Sequence, residues 1–421
     1  VGDLTGPGGP ELLTAMLRHG GHLRPGAAVR SIRCKGADIR DGVKGEKAVL
    51  EVGYEGETDL PAELFVKFNL RRLSPMRLLV ETTEVCRCEA LFYHHLAAEV
   101  AAVLPAPRCY FVDYSAETGE FVLLSEVIRF GEGGVLPLKH RIRDAPSAEE
   151  QRLFIAAGAR VNAALRGAAS PALAQIPRFD RTHREMWLMA QLTARLGLRH
   201  TLGRTLKGRV VNRAFMTWEP PRELLGRERE LIGDMPQILA SLCEDGGLLA
   251  FGHNDLTADN AYFLRGADGR LSFGAFDWQQ SCLNSVGQEW AWNLHFLPPE
   301  FLEEHEAEFL DLILRTYAEL GWRVSRADFL NAYVLGTAQM FVWGGGGLQL
   351  LLSDLHRRGL FESMVPDDPR CRSGEGLDAE TLEKLVGAEM TRRTFTNCCA
   401  IMRRHDFVGA WARWRERRGG A

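Results

Sequence analysis

The chain has 421 residues, of which 46% are hydrophobic and 25% are charged. This length and composition are those of a globular protein with room for two domains or lobes. The formal net charge is only −4, so no overall field indicates a nucleic acid or a strongly acidic partner.

The nine cysteines are scattered along the sequence. Their spacing matches neither a CxxC redox motif nor a tetrahedral zinc site. We therefore expect reduced, partly buried thiols, in the cytoplasm or another reducing compartment. No charged and then apolar leader opens the chain, and because the sequence starts at Val1 rather than Met, a leader could have preceded it.

The N-terminal part is predicted to be rich in strands. Residues 48–54 and 63–69 are β-type runs separated by the turn-like EGETDLP. Residues 77–100 have the apolar spacing of a helix, and 108–114 and 120–128 return to strand character around the turn sequence SAETG. The predicted order is therefore strand, strand, helix, strand, strand.

The chain is predicted to be mainly helical after residue 129. The segment GEGG at 131–134 is interpreted as a linker. A strand-like island from Leu248 to about Trp278 contains a hairpin, in which AYFL and RLSFGAF flank the turn RGADG. Helices are predicted around this island, over 148–168, 181–199, 222–246, 299–320, 326–354 and 379–418.

One uncharged stretch, 331–353, is long enough to span a bilayer. Four consecutive glycines at 344–347 would break such a helix where its freed backbone groups find no water. We therefore predict two buried helices joined by a glycine turn, and no membrane span. The glycines do not form a phosphate loop either, because no Gly-Lys-Ser/Thr follows them.

Two polar loops flank the predicted hairpin. The first is HNDLTADN at 253–260, and the second places Asp277 within AFDWQQ. A phosphoryl-transfer site needs a carboxylate that orients the attacking hydroxyl and accepts its proton, and it needs oxygen ligands for Mg²⁺. Asp255 is the candidate base and Asn260 is a candidate amide ligand. The hairpin would return the chain so that Asp277 faces Asn260 across one metal ion.

The sequences HNDLTADNAYF and FDWQ resemble the catalytic loop and the metal-binding segment of protein-kinase-like phosphotransferases of small molecules. This family includes aminoglycoside phosphotransferases, choline kinases and ecdysteroid-kinase-like proteins, and FDWQQ is closest to the last of these branches. The resemblance implies Asp255 as catalytic base and His253 as a structural brace of the loop. It implies Asn260 and Asp277 as the Mg²⁺ ligands.

The resemblance runs from about residue 30 to residue 300. Lys67 in LFVKF is similar in position to the phosphate-contacting lysine of that fold, and Glu89 on the following helix to the glutamate that pairs with it. FVLLSEV resembles the hinge strand, which implies that the backbones of Ser125 and Val127 contact the adenine of ATP.

Three features depart from the family pattern. Asn254 follows His253, where the small-molecule kinases usually have Gly. Asn293 in WNLHFL stands where an Asp before Leu-Ala is common, so one brace of the loop could be altered. The candidate nucleotide-covering loop, 41–52, has a weak glycine pattern.

Simpler interpretations exist for each residue taken alone. Asp255 and Asn260 could cap a loop, and Lys67 could be an exposed strand residue. The joint pattern is what favours a phosphoryl-transfer site, because all five candidate residues occur in the expected order along the chain: Lys67, Glu89, Asp255, Asn260 and Asp277.

For other features the simpler interpretation is preferred. The basic segment 178–213 carries nine Arg or Lys against two acids, and we expect a solvated helix face and linker. The basic C-terminus, WARWRERR at 411–418, could lie at a membrane surface or bind a protein partner, but a frayed, solvated end is the preferred interpretation. Trp290 and Trp292 are predicted to be packing residues.

These observations predict an α+β, protein-kinase-like two-lobed fold, with a small β-rich lobe over 1–128 and a larger helical lobe over 129–421. The expected function is ATP- and Mg²⁺-dependent phosphorylation of a hydroxyl group on a small molecule. A protein substrate is disfavoured because no Ala-Pro-Glu follows Asp277. The alternative is a kinase-like binding or assembly subunit without turnover, which the weak glycine loop, Asn254, Asn293 and the basic C-terminus would support.

Overall fold

The computed structural model of the chain describes residues 2–35, 46–69, 85–137, 139, 144, 146–167, 171–182, 212, 214–244 and 247–419. These residues form strands and helices that divide into two compact units. The first unit consists of the described residues of Val1–Lys139, Pro171–Pro177 and Asn260–Ser281, and the second of those of His140–Ser170, Arg178–Asp259 and Cys282–Ala421. The α+β class, with a β-rich and a helical part, is confirmed. The lobe boundary at residues 128 and 129 stays a prediction.

The first unit contains a five-stranded antiparallel sheet with the strand order β1-β2-β3-β5-β4. The strands are β1 Ala28–Cys34, β2 Glu46–Glu55, β3 Glu63–Phe68, β4 Cys109–Tyr114 and β5 Phe121–Glu126. The helices of this unit are α1 Gly2–Thr5, α2 Gly9–His19, α3 Val85–His95 and α4 Ala97–Val100. The predicted order of strand, strand, helix, strand, strand is confirmed, while α1, α2 and β1, which were not predicted, come before it.

The two faces of this sheet pack against different helices. Leu64 and Val66 of β3 lie in a hydrophobic cluster that includes residues of α2. Leu123 of β5 lies in another cluster, which includes residues of α3. Successive strand residues point to opposite faces, and Lys67 pairs in register with Leu123. Lys67 therefore lies on the α3 face of the sheet.

Four further strands form two antiparallel pairs. They are β6 Leu249–Gly252 with β9 Cys282–Ser285, and β7 Ala261–Arg265 with β8 Leu271–Ala275. The predicted hairpin is the β7–β8 pair, which belongs to the first unit. The end of the predicted linker and the residues just after it pair with strand β7 of this hairpin. Arg265 N donates to Gly134 O (2.9 Å), and Leu136 N donates to Phe263 O (2.8 Å).

The second unit is mainly helical. Three of the predicted helices, those over 148–168, 222–246 and 299–320, are confirmed with shorter bounds, whereas 181–199 lies almost wholly outside the described residues. The helices are α5 Ala148–Ala164, α6 Phe179–Thr182, α7 Glu228–Glu244, α8 Val286–Leu294, α9 Pro299–Glu319, α10 Arg326–Arg357, α11 Arg370–Ser373, α12 Ala379–Arg404 and α13 Phe407–Gly419.

Helix α10 corrects one prediction. It is a single helix of 32 residues, so the glycines at 344–347 lie inside it and do not form a turn. Glycine lowers helix propensity by about 1 kcal/mol per residue, but buried residues on both sides of the run, such as Phe341 and Leu355, join the main core of the unit. Packing of this kind commonly outweighs propensity. No helix in the described part of the chain is both long and apolar enough to cross a bilayer.

Helix α8 packs closely against α10 because both have a glycine at the crossing. A Cβ on Gly287 would lie 2.6 Å from the Ala332 side chain, and a Cβ on Gly336 would lie 2.6 Å from the Gln288 backbone. Any larger residue at either position would push the helices apart. This contact fixes the position of α8, the helix that follows β9.

The C-terminus corrects a second prediction, since α13 is packed against α7 and is not frayed. Trp411 is fully buried and its Nε1 donates to Asp234 (2.9 Å), to which Arg415 also donates (2.6 Å). Trp414 Nε1 donates to Ser241 (2.9 Å). Trp411 and Trp414 of the basic C-terminus are therefore part of the core of the second unit. The predicted single helix over 379–418 is two helices, which separate where Asp406 adopts a positive φ of 49°.

The nine cysteines all lie in the described part of the chain and form no disulfide. The basic segment 178–213 lies almost wholly outside the described residues. Residues 41–45 of the candidate nucleotide-covering loop 41–52 also lie outside them.

Candidate active site

Lys67 joins two acids in the first unit. Its Nζ donates to Glu89 Oε2 at 2.8 Å and to Asp277 Oδ1 at 2.7 Å. The side chains of Lys67 and Glu89 are only 3% and 1% exposed, whereas that of Asp277 is 23% exposed. Burial acts to lower the pKa of Lys67, but the attraction of Asp277 and Glu89 outweighs it and holds the pKa above its ordinary value. The ammonium group therefore stays charged.

The fold explains why these three residues meet. Lys67 lies on the sheet face that packs against α3, and Glu89 lies on α3. Asp277 follows β8, and the indole of Trp278 next to it stacks on Phe92 of α3, with the ring centroids 3.8 Å apart and nearly parallel. Helix α3 thus positions both acids against one lysine.

A second lysine, Lys47, lies beside the same carboxylate. It is the register partner of Lys67 in the β2–β3 ladder, and its Nζ is 3.6 Å from Asp277 Oδ2. Burial lowers the pKa of Lys47, and the attraction of Asp277 opposes this effect. Sequence reasoning missed this residue. The strand register is the signal that would have identified it, because the turn between β2 and β3 decides which residue faces Lys67.

The hairpin brings Asn260 and Asp277 to its open end. Asn260 immediately precedes β7 and is buried, and its carbonyl accepts a hydrogen bond from Phe276 N (2.9 Å) just after β8. Asp277 has a left-handed backbone, with φ 64° and ψ 58°. Residues other than Gly rarely adopt this conformation, and where they do it is often at a functional site.

The donor set at this end of the hairpin fits a magnesium ion. Mg²⁺ prefers oxygen ligands and is usually held by one or two carboxylates, with phosphate oxygens and water completing its shell. Asp277 and Asn260 offer one carboxylate and one amide oxygen, and each oxygen of Asp277 already lies near an ammonium group. Within the described ranges, no three His, Cys, Asp or Glu side chains form a metal cluster.

The predicted catalytic loop starts where β6 ends in the second unit, and α8 positions it. Asp255 is half-buried and its Oδ1 accepts a hydrogen bond from Trp292 Nε1 (3.2 Å). The next residue, Leu256, donates its backbone N–H to Asn293 Oδ1 (3.1 Å). Trp292 is buried as predicted, but it also orients the candidate base. Asn293 supports the loop although it is not the usual Asp.

Glu289 is the main brace of this loop, and sequence reasoning missed it. Its Oε1 accepts from the backbone N–H of Asn254 (3.3 Å), its Oε2 accepts from Asn162 Nδ2 (2.9 Å), and the backbone of His253 also donates to it. Gly252 lies against the carboxylate so closely that a Cβ there would overlap it. Burial raises the pKa of Glu289 to about 7, against the opposing effect of its donors.

The support behind Glu289 continues through buried polar groups. Tyr317 OH donates to Asn162 Oδ1 (2.9 Å) and accepts from Trp290 Nε1 (2.9 Å). Buried polar groups joined by hydrogen bonds in this way favour one arrangement of their side chains. This network holds the backbone at His253, whose side chain is buried. The role of His253 as a structural brace stays a prediction.

Asn254 replaces the usual Gly for a conformational reason. Its φ is 55°, in the left-handed region where Gly is preferred and Asn is the best-tolerated alternative. Its side chain is fixed as well, because Nδ2 donates to Gly252 O (3.1 Å) and Oδ1 accepts from Asn284 Nδ2 (2.7 Å). The substitution therefore preserves the shape of the loop.

The two candidate adenine contacts lie at the end of β5. Ser125 is buried inside the strand and pairs with both β3 and β4, whereas Val127 follows its last residue. Contact with adenine stays a prediction for both residues.

No protein-family model matches the chain, and no curated protein sequence matches it. Several solved structures are similar to it at low sequence identity. A protein assigned as an aminoglycoside phosphotransferase from Ralstonia eutropha JMP134 is 16% identical, with a TM-score of 0.45, and the match covers 92% of this chain and 97% of that one. A choline/ethanolamine kinase family protein from Mesorhizobium loti is 15% identical, with a TM-score of 0.37 and coverages of 90% and 99%. Choline kinase from Cryptosporidium parvum Iowa II is 11% identical, with a TM-score of 0.42 and coverages of 95% and 97%. These are the kinds of protein that the two loop motifs resemble.

Proposed function

We propose that this protein transfers a phosphoryl group from ATP to a hydroxyl group of a small molecule, with Mg²⁺ as the metal ion. The observation that carries the proposal is the contact of Lys67 with Glu89 and Asp277. A buried lysine that must stay charged needs an acid to orient it, and a second, partly exposed acid beside it fits a metal-binding role. This arrangement matches the parts that kinases use to hold nucleotide phosphates.

Each residue has one role in the proposal. Lys67, oriented by Glu89, binds phosphate oxygens, and Asp277 and Asn260 hold the metal ion. When bound, Mg²⁺ neutralises charge on the phosphates and helps to align the transferred group. The backbones of Ser125 and Val127 contact the adenine.

Asp255 is the proposed base. Its Oδ1 accepts a hydrogen bond from Trp292 Nε1, which orients the carboxylate that would position the acceptor hydroxyl and accept its proton. The backbone of the loop is held by Glu289 and Asn293, so the carboxylate does not need to be ordered at the moment of reaction. The acceptor is proposed only as a hydroxyl-bearing small molecule.

Two acid-to-amide variants test the proposal. Asp255→Asn keeps the shape but removes the base, so Mg-ATP affinity should be retained while turnover falls by roughly 10²–10⁴-fold. Asp277→Asn removes the ligand charge, so both Mg-ATP affinity and turnover should fall. Affinity is measured by calorimetry, and turnover with labelled ATP and a metabolite library that also identifies the acceptor.

Asp268→Asn is the matched control. Asp268 is exposed in the turn at the other end of the same hairpin, where it accepts from Arg270 N (3.0 Å). This variant should behave as the wild type. Wild-type protein that binds no Mg-ATP, or an Asp277→Asn variant with unchanged affinity, would contradict the proposal.

The alternative function is a kinase-like binding or assembly subunit. Two of the residues that suggested it, Asn254 and Asn293, form hydrogen bonds within and to the loop, which supports the enzyme proposal instead. It would be preferred if the wild type binds Mg-ATP, no acceptor is phosphorylated and Asp255→Asn leaves the cellular role intact.

A further inference from the structure

Two lysines lie directly opposite each other in the β2–β3 ladder. Lys47 pairs in register with Lys67, and directly paired residues of antiparallel strands carry their side chains on the same face. Like charges in such a pair repel each other. The side chains are only 14% and 3% exposed, so water screens little of this repulsion.

The two lysines contact Asp277 unequally. Lys67 donates to Asp277 Oδ1 at 2.7 Å and also to Glu89. Lys47 Nζ lies 3.6 Å from the other oxygen, Oδ2, which allows charge attraction but is too long for a hydrogen bond. Asp277 therefore has an ammonium group beside each oxygen, and the contact of Lys67 with it is the shorter of the two.

We propose that Lys47 is a second phosphate-binding cation, which exchanges Asp277 for a phosphate oxygen of Mg-ATP when the metal ion binds that carboxylate. The inference rests on the proposed function. A metal ion on Asp277 neutralises the acid and repels an ammonium group beside it. Lys67 keeps Glu89 as its partner, and the polyphosphate that arrives with the metal supplies an anion for Lys47.

The exchange predicts opposite effects on two ligands. Without the charge of Lys47, one ammonium group fewer competes for Asp277 Oδ2, so a metal ion alone should bind more tightly. The same change removes a phosphate partner, so Mg-ATP should bind more weakly. A lysine that only supports the fold would change both affinities in the same direction, or neither.

The test compares Lys47→Met with the wild type on three ligands. Mn²⁺ alone is followed by electron paramagnetic resonance, and Mg-ATP and adenosine are followed by calorimetry. We expect the Kd for Mg-ATP to rise about tenfold and the Kd for Mn²⁺ to fall several-fold, since one charge close to each ligand has been removed. The Kd for adenosine should not change.

Two further variants serve as controls. Lys384→Met removes a lysine of α12 that pairs with Asp354 and Glu380 in the second unit, and it should change none of the three affinities. Lys47→Arg keeps the charge and should keep most of the Mg-ATP affinity.

The outcomes separate this inference from the proposed function. Unchanged Mg-ATP affinity in Lys47→Met overturns the inference alone. An equal loss of adenosine and Mg-ATP affinity also overturns it, because the lysine would then support the fold. Wild-type protein that binds no Mg-ATP overturns both.

Discussion

Replacing Glu289 with Gln should change how the stability of the protein depends on pH. The Glu289 side chain is almost fully buried, and it accepts hydrogen bonds from the Asn162 side chain and from the backbones of Asn254 and His253. Burial disfavours the charged form and raises the pKa to about 7, compared with 4.5 for an ordinary glutamate.

The sign and size of the effect follow from these two values. Between pH 4.5 and 7 the folded state keeps a proton on Glu289 that the unfolded state releases. The contribution of protonated Glu289 to the free energy of unfolding is therefore complete below pH 4.5, and it is lost as the pH rises through 7. One pKa unit corresponds to about 1.4 kcal/mol, so the total loss is about 3 kcal/mol.

Glu289→Gln has no such proton to lose. The free energy of unfolding of this variant, minus that of the wild type, should rise by about 3 kcal/mol from acid to alkaline pH. Urea unfolding followed by circular dichroism at several pH values between about 5 and 8 measures this difference. The size of this difference at acid pH depends on how the amide introduced by Glu289→Gln fits among the hydrogen-bond donors. The slope of the difference against pH does not depend on that fit.

Glu383→Gln makes the same substitution at an exposed position of α12 and measures the effect of the substitution without burial. A Glu289→Gln curve that runs parallel to the wild type, within about 1 kcal/mol, would refute the reasoning from burial.

Three more predictions concern single residues. Trp292→Phe removes the donor to Asp255 but keeps the buried ring, so turnover should fall about tenfold with little loss of stability. Trp414→Phe, which loses a hydrogen bond to Ser241 away from the loop, is the matched control. Lys67→Met leaves Glu89 buried without its cation and should lower the free energy of unfolding by about 3–5 kcal/mol. Adding Glu89→Gln to the same chain should restore part of this loss. An unchanged free energy of unfolding in Lys67→Met would show that the Lys67–Glu89 pair does not depend on charge. Trp411→Ala should cost about 3–5 kcal/mol because the ring is fully buried, whereas a frayed terminus would predict no change, as expected for the exposed Arg417→Ala.

Short-range patterns determined the parts of the fold that depend on neighbouring residues. Alternating apolar residues predicted β2 and β3, and the turn sequence between AYFL and RLSFGAF predicted the β7–β8 hairpin. The motif around Asp255, Asn260 and Asp277 was visible because loop residues that follow apolar strands stand out in the sequence. These features are local, so strand alternation and turn chemistry are enough to predict them.

Tertiary packing decided the helix boundaries that local propensity predicted wrongly. The glycines at 344–347 suggested a turn, but α10 continues through them because it is packed in the core of the second unit. The basic C-terminus suggested a solvated end, but the burial of Trp411 and Trp414 fixes α13 against α7. In both cases the free energy of burying apolar surface exceeds the local preference.

Only the tertiary structure revealed the residues that support the candidate site. Lys47 faces Asp277 because of strand register, and the Glu289 carboxylate reaches the loop because Gly252 has no side chain that would overlap it. Neither residue belongs to a motif, since each acts across a contact between elements distant in sequence. The sequence determined which groups could perform the chemistry, because residue types and their spacing are written in it. Their partners, burial and pKa values depend on non-local contacts, which exist only once the chain has folded.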